Sequence, residues 1–127
     1  MDLSITTLIV DDSESMRKMI RKALADFGLK NHLEAGSGKE ALDIMAARDV
    51  GLVISDWNMP KGNGLEFLKA IRASKRHENL PFIMLTSEAG AESYKIAMDH
   101  GATDYISKPF TKEQLVTKVK SIIAWSG

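Results

Sequence analysis

Polar side chains stand directly after four short apolar segments of this sequence, and their types suit phosphoryl transfer. They are two adjacent acids, a third acid, a pair of hydroxyls and an amine: Asp11 and Asp12, Asp56, Thr86 with Ser87, and Lys108. If the segments are neighbours, three carboxylates converge, and two like charges about 5 Å apart repel by roughly 3 kcal/mol at an effective dielectric near 20. Positive charge must therefore lie among them.

Lys108 supplies part of that positive charge, and a divalent cation could supply the rest. A trio of acids matches Mg²⁺, a hard ion that takes oxygen ligands and keeps several waters. A bound ion would also attract a phosphate. The cluster thus predicts that Asp56 is a carboxylate nucleophile for a phosphoryl group, with Lys108 and the metal neutralising the transferred oxygens and Thr86 donating a hydrogen bond.

A parallel sheet is the element that could bring these side chains together. Short apolar runs alternate with segments of helical period, which is typical of βαβ units. The predicted strands cover 5–10, 32–35, 52–55, 82–85 and 104–107, and the predicted helices carry apolar stripes over 16–27 and 115–123 or lie near 38–47, 64–74 and 91–100. Ligands bind at the carboxyl ends of strands in open α/β sheets. We therefore expect a five-stranded doubly wound α/β sandwich.

Helix boundaries are also indicated. Ser37 with Glu40, and Thr111 with Gln114, stand at capping-box spacing, and Gly28 follows the first helix where a left-handed residue would end it. The stripe of that helix is expected to cover one face of the sheet, and it consists of Met16, Met19, Ile20, Ala23, Leu24 and Phe27.

Composition narrows the class of protein. A chain of 127 residues with 44% hydrophobic content predicts a single domain over 1–127. Seventeen basic residues balance seventeen acidic ones, so no overall field favours nucleic acid or membrane. The chain has no cysteine, no long apolar stretch and no N-terminal pattern of a signal peptide, which together predict a cytoplasmic protein.

The motifs at the strand ends resemble those of response regulator receiver domains. They are "VDD", "DWNMP", "TSE" and "KPF", in order, and the similarity runs from about Thr7 to Ile123. Within that family the sequence is most similar to single-domain CheY-type chemotaxis regulators, through "DWNMP", "MRKMIR" and "KPFT". The resemblance implies a flavodoxin-like doubly wound parallel sheet of order 2-1-3-4-5 with five helices.

The resemblance also implies roles in phosphorylation. Asp56 matches the phosphoacceptor, which takes its phosphoryl group from a phosphohistidine on a histidine kinase. Asp12 matches the acid that binds Mg²⁺ directly, Asp11 the acid that acts largely through water, and Asn58 the residue whose backbone carbonyl binds the ion. Family members tune the lifetime of the aspartyl phosphate at the positions of Asn58 and Glu88.

A second group of implied roles concerns switching. Thr86, Ser87 and Lys108 match phosphoryl-binding residues, and the bond from Lys108 to Pro109 is expected to be cis. Thr86 and Tyr105 match the switch pair: on phosphorylation the threonine would move toward the phosphoryl group and the tyrosine would turn inward. The altered surface, formed by the fourth helix, fifth strand and fifth helix, would bind a flagellar motor switch protein or another downstream protein. A phosphatase could also act on the domain, which is expected to be a monomer.

Alternatives remain at this point. A haloacid-dehalogenase-like phosphatase needs a second acid two residues after its nucleophile, where this chain has Asn58, and a flavodoxin-like module needs a phosphate cradle where "DDSES" presents acids. Within the receiver family, the chain could be an input domain of a larger regulator, or a phosphate sink or relay. Asp12 could also cap the first helix, and Tyr105 could be an ordinary core aromatic.

Three positions depart from the family pattern. Gly62 and Asn63 replace the Met and Asp that often precede the glycine matched by Gly64, and Ser13 stands where chemotaxis members often carry Phe.

Overall fold

The computed structural model describes residues 3–59, 63–87 and 91–126, with the backbone alone described for 91 and 124–126. Gly62, which departs from the family pattern, and Glu88, at a position that tunes phosphate lifetime in the family, lie outside the described residues. No helix within the described ranges has the length and apolar character needed to cross a membrane.

Within the described residues, five strands alternate with five α-helices, as the sequence predicts. The strands are β1 (Thr6–Val10), β2 (Asn31–Ala35), β3 (Leu52–Asp56), β4 (Phe82–Thr86) and β5 (Asp104–Ser107). The helices are α1 (Glu14–Phe27), α2 (Gly38–Ala47), α3 (Gly64–Arg72), α4 (Ala91–Asp99) and α5 (Lys112–Ser126). Helix α3 ends two residues earlier than expected, and a short 3₁₀ turn, Lys75–His77, follows it.

All strand pairs are parallel and the order is β2-β1-β3-β4-β5, which confirms the flavodoxin-like topology. The register places the last residues of β3 and β4 at the carboxyl edge of the sheet. Asp56 lies opposite Leu85, and Thr86 lies opposite Ser107. Strands β3 and β4 therefore each extend one residue further than predicted, because their polar last residues still take part in the pairing.

Side chains of the central strands alternate between two buried layers, because successive residues of a strand point to opposite faces. One layer lies beneath α2, α3 and α4 and includes Leu8, Val10, Val53, Phe82 and Met84. The other lies beneath α1 and α5 and includes Ile9, Ile54, Ile83 and Leu85. The stripes of α1 and α5 thus share one face of the sheet. Met19, which the spacing predicts to lie in the α1 stripe, is instead 42% exposed, so this prediction is wrong.

The predicted helix ends are present. Gly28 ends α1 with φ +116°, a left-handed conformation that glycine adopts without steric cost. The Ser37 hydroxyl accepts from the Glu40 N–H at the start of α2. Before α5, the Thr111 hydroxyl accepts from the Gln114 N–H at 3.0 Å and the Gln114 side chain accepts from the Thr111 N–H at 2.8 Å, which completes a capping box.

Candidate phosphoryl and metal site

Three carboxylates from two neighbouring strands meet at the carboxyl edge of the sheet. Asp11 and Asp12 follow β1, and Asp56 is the last residue of β3, which pairs with β1. One oxygen of each carboxylate lies within 4.8 Å of the oxygens of the other two. The predicted convergence of the acids is therefore present in the fold.

Lys108 reaches the same point from the end of β5. Its ammonium Nζ lies 3.1 Å from Asp56 Oδ1 and 3.3 Å from Asp11 Oδ2. The backbone N–H of Lys108 donates to the Thr86 carbonyl at 2.7 Å, which ties this loop to the end of β4. The peptide bond from Lys108 to Pro109 is cis, as the resemblance implied. Lys108 thus lies among the acids, as the sequence predicts.

Burial controls the electrostatics of the phosphoacceptor candidate. Asp56 is only 5% exposed. Desolvation raises the pKa of Asp56, and the nearby Asp11 charge adds to that rise, while the Lys108 hydrogen bond and charge and the backbone N–H of Asn58 oppose it. Burial alone would lower the pKa of Lys108, but the hydrogen bonds and charges of Asp56 and Asp11 outweigh it and the pKa is raised. The amine thus stays charged beside the acids.

The two acids after β1 differ in how they are held. Asp11 is 1% exposed, and its Oδ1 accepts from the backbone N–H of Ser13 at 2.9 Å while its Oδ2 accepts from Lys108. Asp12 is exposed and takes part in none of those bonds. Because the Asp11 carboxylate is fixed and the Asp12 carboxylate is not, Asp12 is the acid favoured for direct metal binding. Direct binding of Mg²⁺ by Asp12, with Asp11 acting through water, stays a prediction.

Ser13 is the N-cap of α1, which corrects the alternative that Asp12 caps this helix. The Ser13 hydroxyl accepts from the Met16 N–H at 3.2 Å. The departure from Phe at this position therefore supplies a side-chain cap for α1. The donor to Asp11 is the backbone N–H of the same residue, which does not depend on the side chain.

The remaining phosphoryl-binding and metal-binding candidates lie at the ends of β3 and β4. Thr86 is fully buried at the end of β4, one residue beyond the Leu85 that pairs with Asp56. Ser87 and Asn58 are exposed at the same edge. The Asn58 backbone N–H is a donor to the Asp56 carboxylate. Binding of metal by the Asn58 carbonyl, and of phosphoryl by Thr86 and Ser87, stays a prediction.

Tyr105 is the second residue of β5 and pairs with Met84 of β4. The residue is 9% exposed and joins the core layer beneath α2, α3 and α4. The Tyr94 ring of α4 packs against it edge to face, with ring centroids 5.7 Å apart at 81°. The core-aromatic interpretation is correct for this conformation, and the inward turn on phosphorylation stays a prediction.

Gly64 contributes to the site by its lack of a side chain, which the sequence alone did not reveal. A Cβ at Gly64 would lie 2.2 Å from the Asp56 carbonyl oxygen. The Gly64 N–H donates to the Trp57 carbonyl at 2.7 Å, so the start of α3 packs directly on the phosphoacceptor strand. Asn63 caps this helix by accepting from the Glu66 N–H at 2.8 Å.

The donor set fits a hard divalent cation. Three carboxylate oxygens within 4.8 Å of one another are hard ligands, and no softer ligand is among them. One ammonium against three acids also leaves negative charge uncompensated. The described geometry can therefore hold Mg²⁺ beside Asp56.

Comparison with known proteins agrees with the geometry. The family model for the response regulator receiver domain matches residues 7–120, and the chain belongs to this family. It is 43% identical to a chemotaxis protein CheY homolog of Campylobacter jejuni over 91% of this chain and 90% of that protein. It is 40% identical to the chemotaxis protein CheY1 of Helicobacter pylori, over 91% of this chain and 94% of that protein.

Solved structures show the same fold. The chemotaxis response regulator CheY4 of Vibrio cholerae superposes with a TM-score of 0.88 at 35% identity, covering 94% of this chain and 98% of that one. The Francisella response regulator 1452 receiver domain has a TM-score of 0.88 at 27% identity, covering 98% of this chain and all of that one. The chain is thus a CheY-like receiver domain, and the phosphatase and flavodoxin alternatives are set aside.

Proposed function

We propose that this receiver domain accepts a phosphoryl group on Asp56 from a histidine kinase, in a Mg²⁺-dependent reaction, and thereby switches its binding to a downstream protein in chemotaxis. The observation that carries the proposal is the buried Asp56 carboxylate with the Lys108 ammonium 3.1 Å away and two further acids alongside. The names of the relatives support the chemotaxis role over a phosphate sink or an input domain of a larger regulator.

The residues have separate tasks in the transfer. A carboxylate oxygen of Asp56 attacks phosphorus, the bond to the leaving nitrogen of phosphohistidine breaks, and the electron pair stays on that nitrogen, which takes up a proton. Lys108 pairs with a phosphoryl oxygen, and Thr86 donates a hydrogen bond to another. Asp11, Asp12, Asp56 and the Asn58 carbonyl would hold the magnesium ion, which would supply positive charge against the phosphoryl oxygens.

The output is a change of surface rather than turnover of a substrate. The new phosphoryl charge would draw Thr86 toward it and bias Tyr105, altering the face made by α4, β5 and α5. A full reversal of populations, from 1:99 to 99:1, requires about 5.5 kcal/mol of differential interaction. We expect the partner on this face to be a flagellar motor switch protein, with a phosphatase acting on the same aspartyl phosphate. We also propose that residues 1–127 form a single domain, and that this domain is monomeric and lies in the cytoplasm.

Phosphorylation is tested with acetyl phosphate and Mg²⁺. Wild-type protein should gain one phosphoryl group by mass spectrometry, and Asp56→Asn should gain none. Asp43→Asn, at an exposed acid of α2, is the matched control and should be labelled normally. Trp57 emission should change on adding Mg²⁺ and again with beryllofluoride, above the background from Trp125. Labelling of folded Asp56→Asn at the wild-type level would refute the proposal.

Metal binding has its own measurement. Mg²⁺ at ten times its Kd should stabilise the fold by about 1.4 kcal/mol, which is roughly 5 °C in Tm for a chain of this length. Asp12→Ala removes the exposed acid and should abolish the rise. An equal rise in that variant would show that the ion binds elsewhere.

A further inference from the structure

Arg17 of α1 connects the metal-binding loop to the neighbouring edge strand. Its guanidinium Nη1 donates to the Asp11 carbonyl at 2.6 Å, and its Nε donates to Glu34 Oε1 of β2 at 3.1 Å. The side chain is only 18% exposed. A planar guanidinium with fixed donor directions can hold two acceptors in one relative geometry.

The Asp11 carbonyl belongs to the peptide unit that leads into Asp12. The other side of Asp11 is also fixed to β2, because the Asp11 N–H donates to the Ala35 carbonyl at 3.0 Å. Strand β2 therefore holds this turn twice, once directly and once through Glu34 and Arg17. The Asp12 side chain lacks the bonds that fix the Asp11 carboxylate, so its position depends on the peptide that Arg17 holds.

We propose that Arg17 is a positioning residue for the cation site. It holds the peptide between Asp11 and Asp12 so that both acids face Asp56 with the spacing a divalent ion requires, and it does so without contacting the ion or the phosphoryl group. This inference rests on the Mg²⁺ binding of the proposed function.

The competing explanation is an ordinary ion pair with Glu34 that only stabilises the fold. Arg21 provides the comparison, because its Nη1 pairs with the other oxygen of the same carboxylate, Glu34 Oε2, at 2.5 Å. Arg21 makes no described bond to the Asp11 carbonyl, and its side chain is 43% exposed. Arg21→Gln thus removes one positive charge and one bond to Glu34 while leaving the loop contact in place.

The charge effect and the positioning effect have opposite signs. Removing a cation near three acids should, by charge alone, strengthen Mg²⁺ binding. Loss of positioning should weaken it, and removal of a partner that orients a metal ligand typically costs tenfold or more in affinity. A weaker site in Arg17→Gln would therefore identify positioning.

The experiment titrates Mg²⁺ into wild type, Arg17→Gln, Arg17→Lys and Arg21→Gln, following Trp57 emission and the initial rate of labelling by acetyl phosphate. We expect about a tenfold higher Mg²⁺ Kd in Arg17→Gln, with most of the rate recovered at saturating Mg²⁺. Arg17→Lys should also bind Mg²⁺ more weakly, because one ammonium cannot span both acceptors. Arg21→Gln should stay within about twofold of wild type, since the Asp11 contact is intact.

The outcomes separate the two proposals. If wild type itself shows no response to Mg²⁺, the proposed function fails and this inference fails with it. If wild type responds but both Arg17 variants match Arg21→Gln within about twofold, the positioning role alone is overturned. Should Arg17→Gln fail to fold by circular dichroism, the same comparison is made with Arg17→Lys.

Discussion

Gly64→Ala adds only a methyl group, at a residue that takes no part in the reaction, yet it should strongly lower the rate of phosphorylation. The added Cβ would lie 2.2 Å from the Asp56 carbonyl oxygen and 2.9 Å from the Trp57 Cα, whereas ordinary contact begins at 3.4 Å. The backbone of β3 and the start of α3 must therefore separate by about 1.2 Å. The hydrogen bond that the Gly64 N–H donates to the Trp57 carbonyl would lengthen by a similar amount.

The displacement acts directly on the phosphoacceptor, because the crowded atom is the backbone oxygen of Asp56 itself. Misplacing a reacting group by about 1 Å can cost about 100-fold in rate. We therefore expect the initial rate of phosphorylation to fall about 100-fold, with a loss of about 1–3 kcal/mol in the free energy of unfolding from overpacking.

The assay measures initial labelling by acetyl phosphate at saturating Mg²⁺, with Tm recorded for each variant. Gly51→Ala is the matched control: its Cβ would lie 2.9 Å from the Ile5 Cβ, just before β3 begins and at the opposite end of the strand from Asp56. This variant should lose stability and keep its rate. A folded Gly64→Ala that is phosphorylated within about threefold of wild type would refute the reasoning, since a displaced nucleophile should cost far more.

Two further predictions concern stability without Mg²⁺. Thr7 Oγ1 is the buried side-chain polar atom, among the described residues, that lacks a hydrogen-bond partner, so Thr7→Val should raise the free energy of unfolding by about 1–3 kcal/mol, or Tm by about 4–11 °C. Thr7→Ser should lower Tm, and an unchanged Tm in Thr7→Val would mean that water satisfies the hydroxyl. Because burial raises the pKa of Asp56 above 3.8, the folded state binds that proton more tightly and loses stability as pH rises from 3.8 through the raised pKa. Asp56→Asn should remove that component in urea titrations across this range, and an identical pH profile in both proteins would contradict the assigned burial effect.

Much of the fold was predictable because it depends on local patterns. Apolar runs of four or five residues must be buried on both faces, and Gly28 and the Thr111–Gln114 pair end or begin helices through contacts between near neighbours in the chain. Local patterns predict less accurately which residues of a helix face the core. Met19 has the spacing of a core residue but is exposed, whereas Ile20, Ala23 and Leu24 of the same helix are buried in the α1–α5 layer.

The candidate site likewise contains residues that local sequence patterns predict and a residue that they do not. Asp11, Asp12, Asp56 and Lys108 could be selected from their types and their positions after apolar runs, and the structure brings them together. Arg17 was missed. Its place after the acid pair is a weak signal, since nothing local indicates that its guanidinium reaches back to the Asp11 carbonyl and across to β2.

The sequence by itself determined the alternation of strands and helices and the chemical types available at each strand end, because both depend on residues close together in the chain. Only the tertiary structure decided which acid is fixed and which is free, why residue 64 must lack a side chain, and that burial raises the pKa of Asp56. These properties depend on distances between segments that are remote in sequence. Such distances are set by the register of parallel strands and the packing of helices on them.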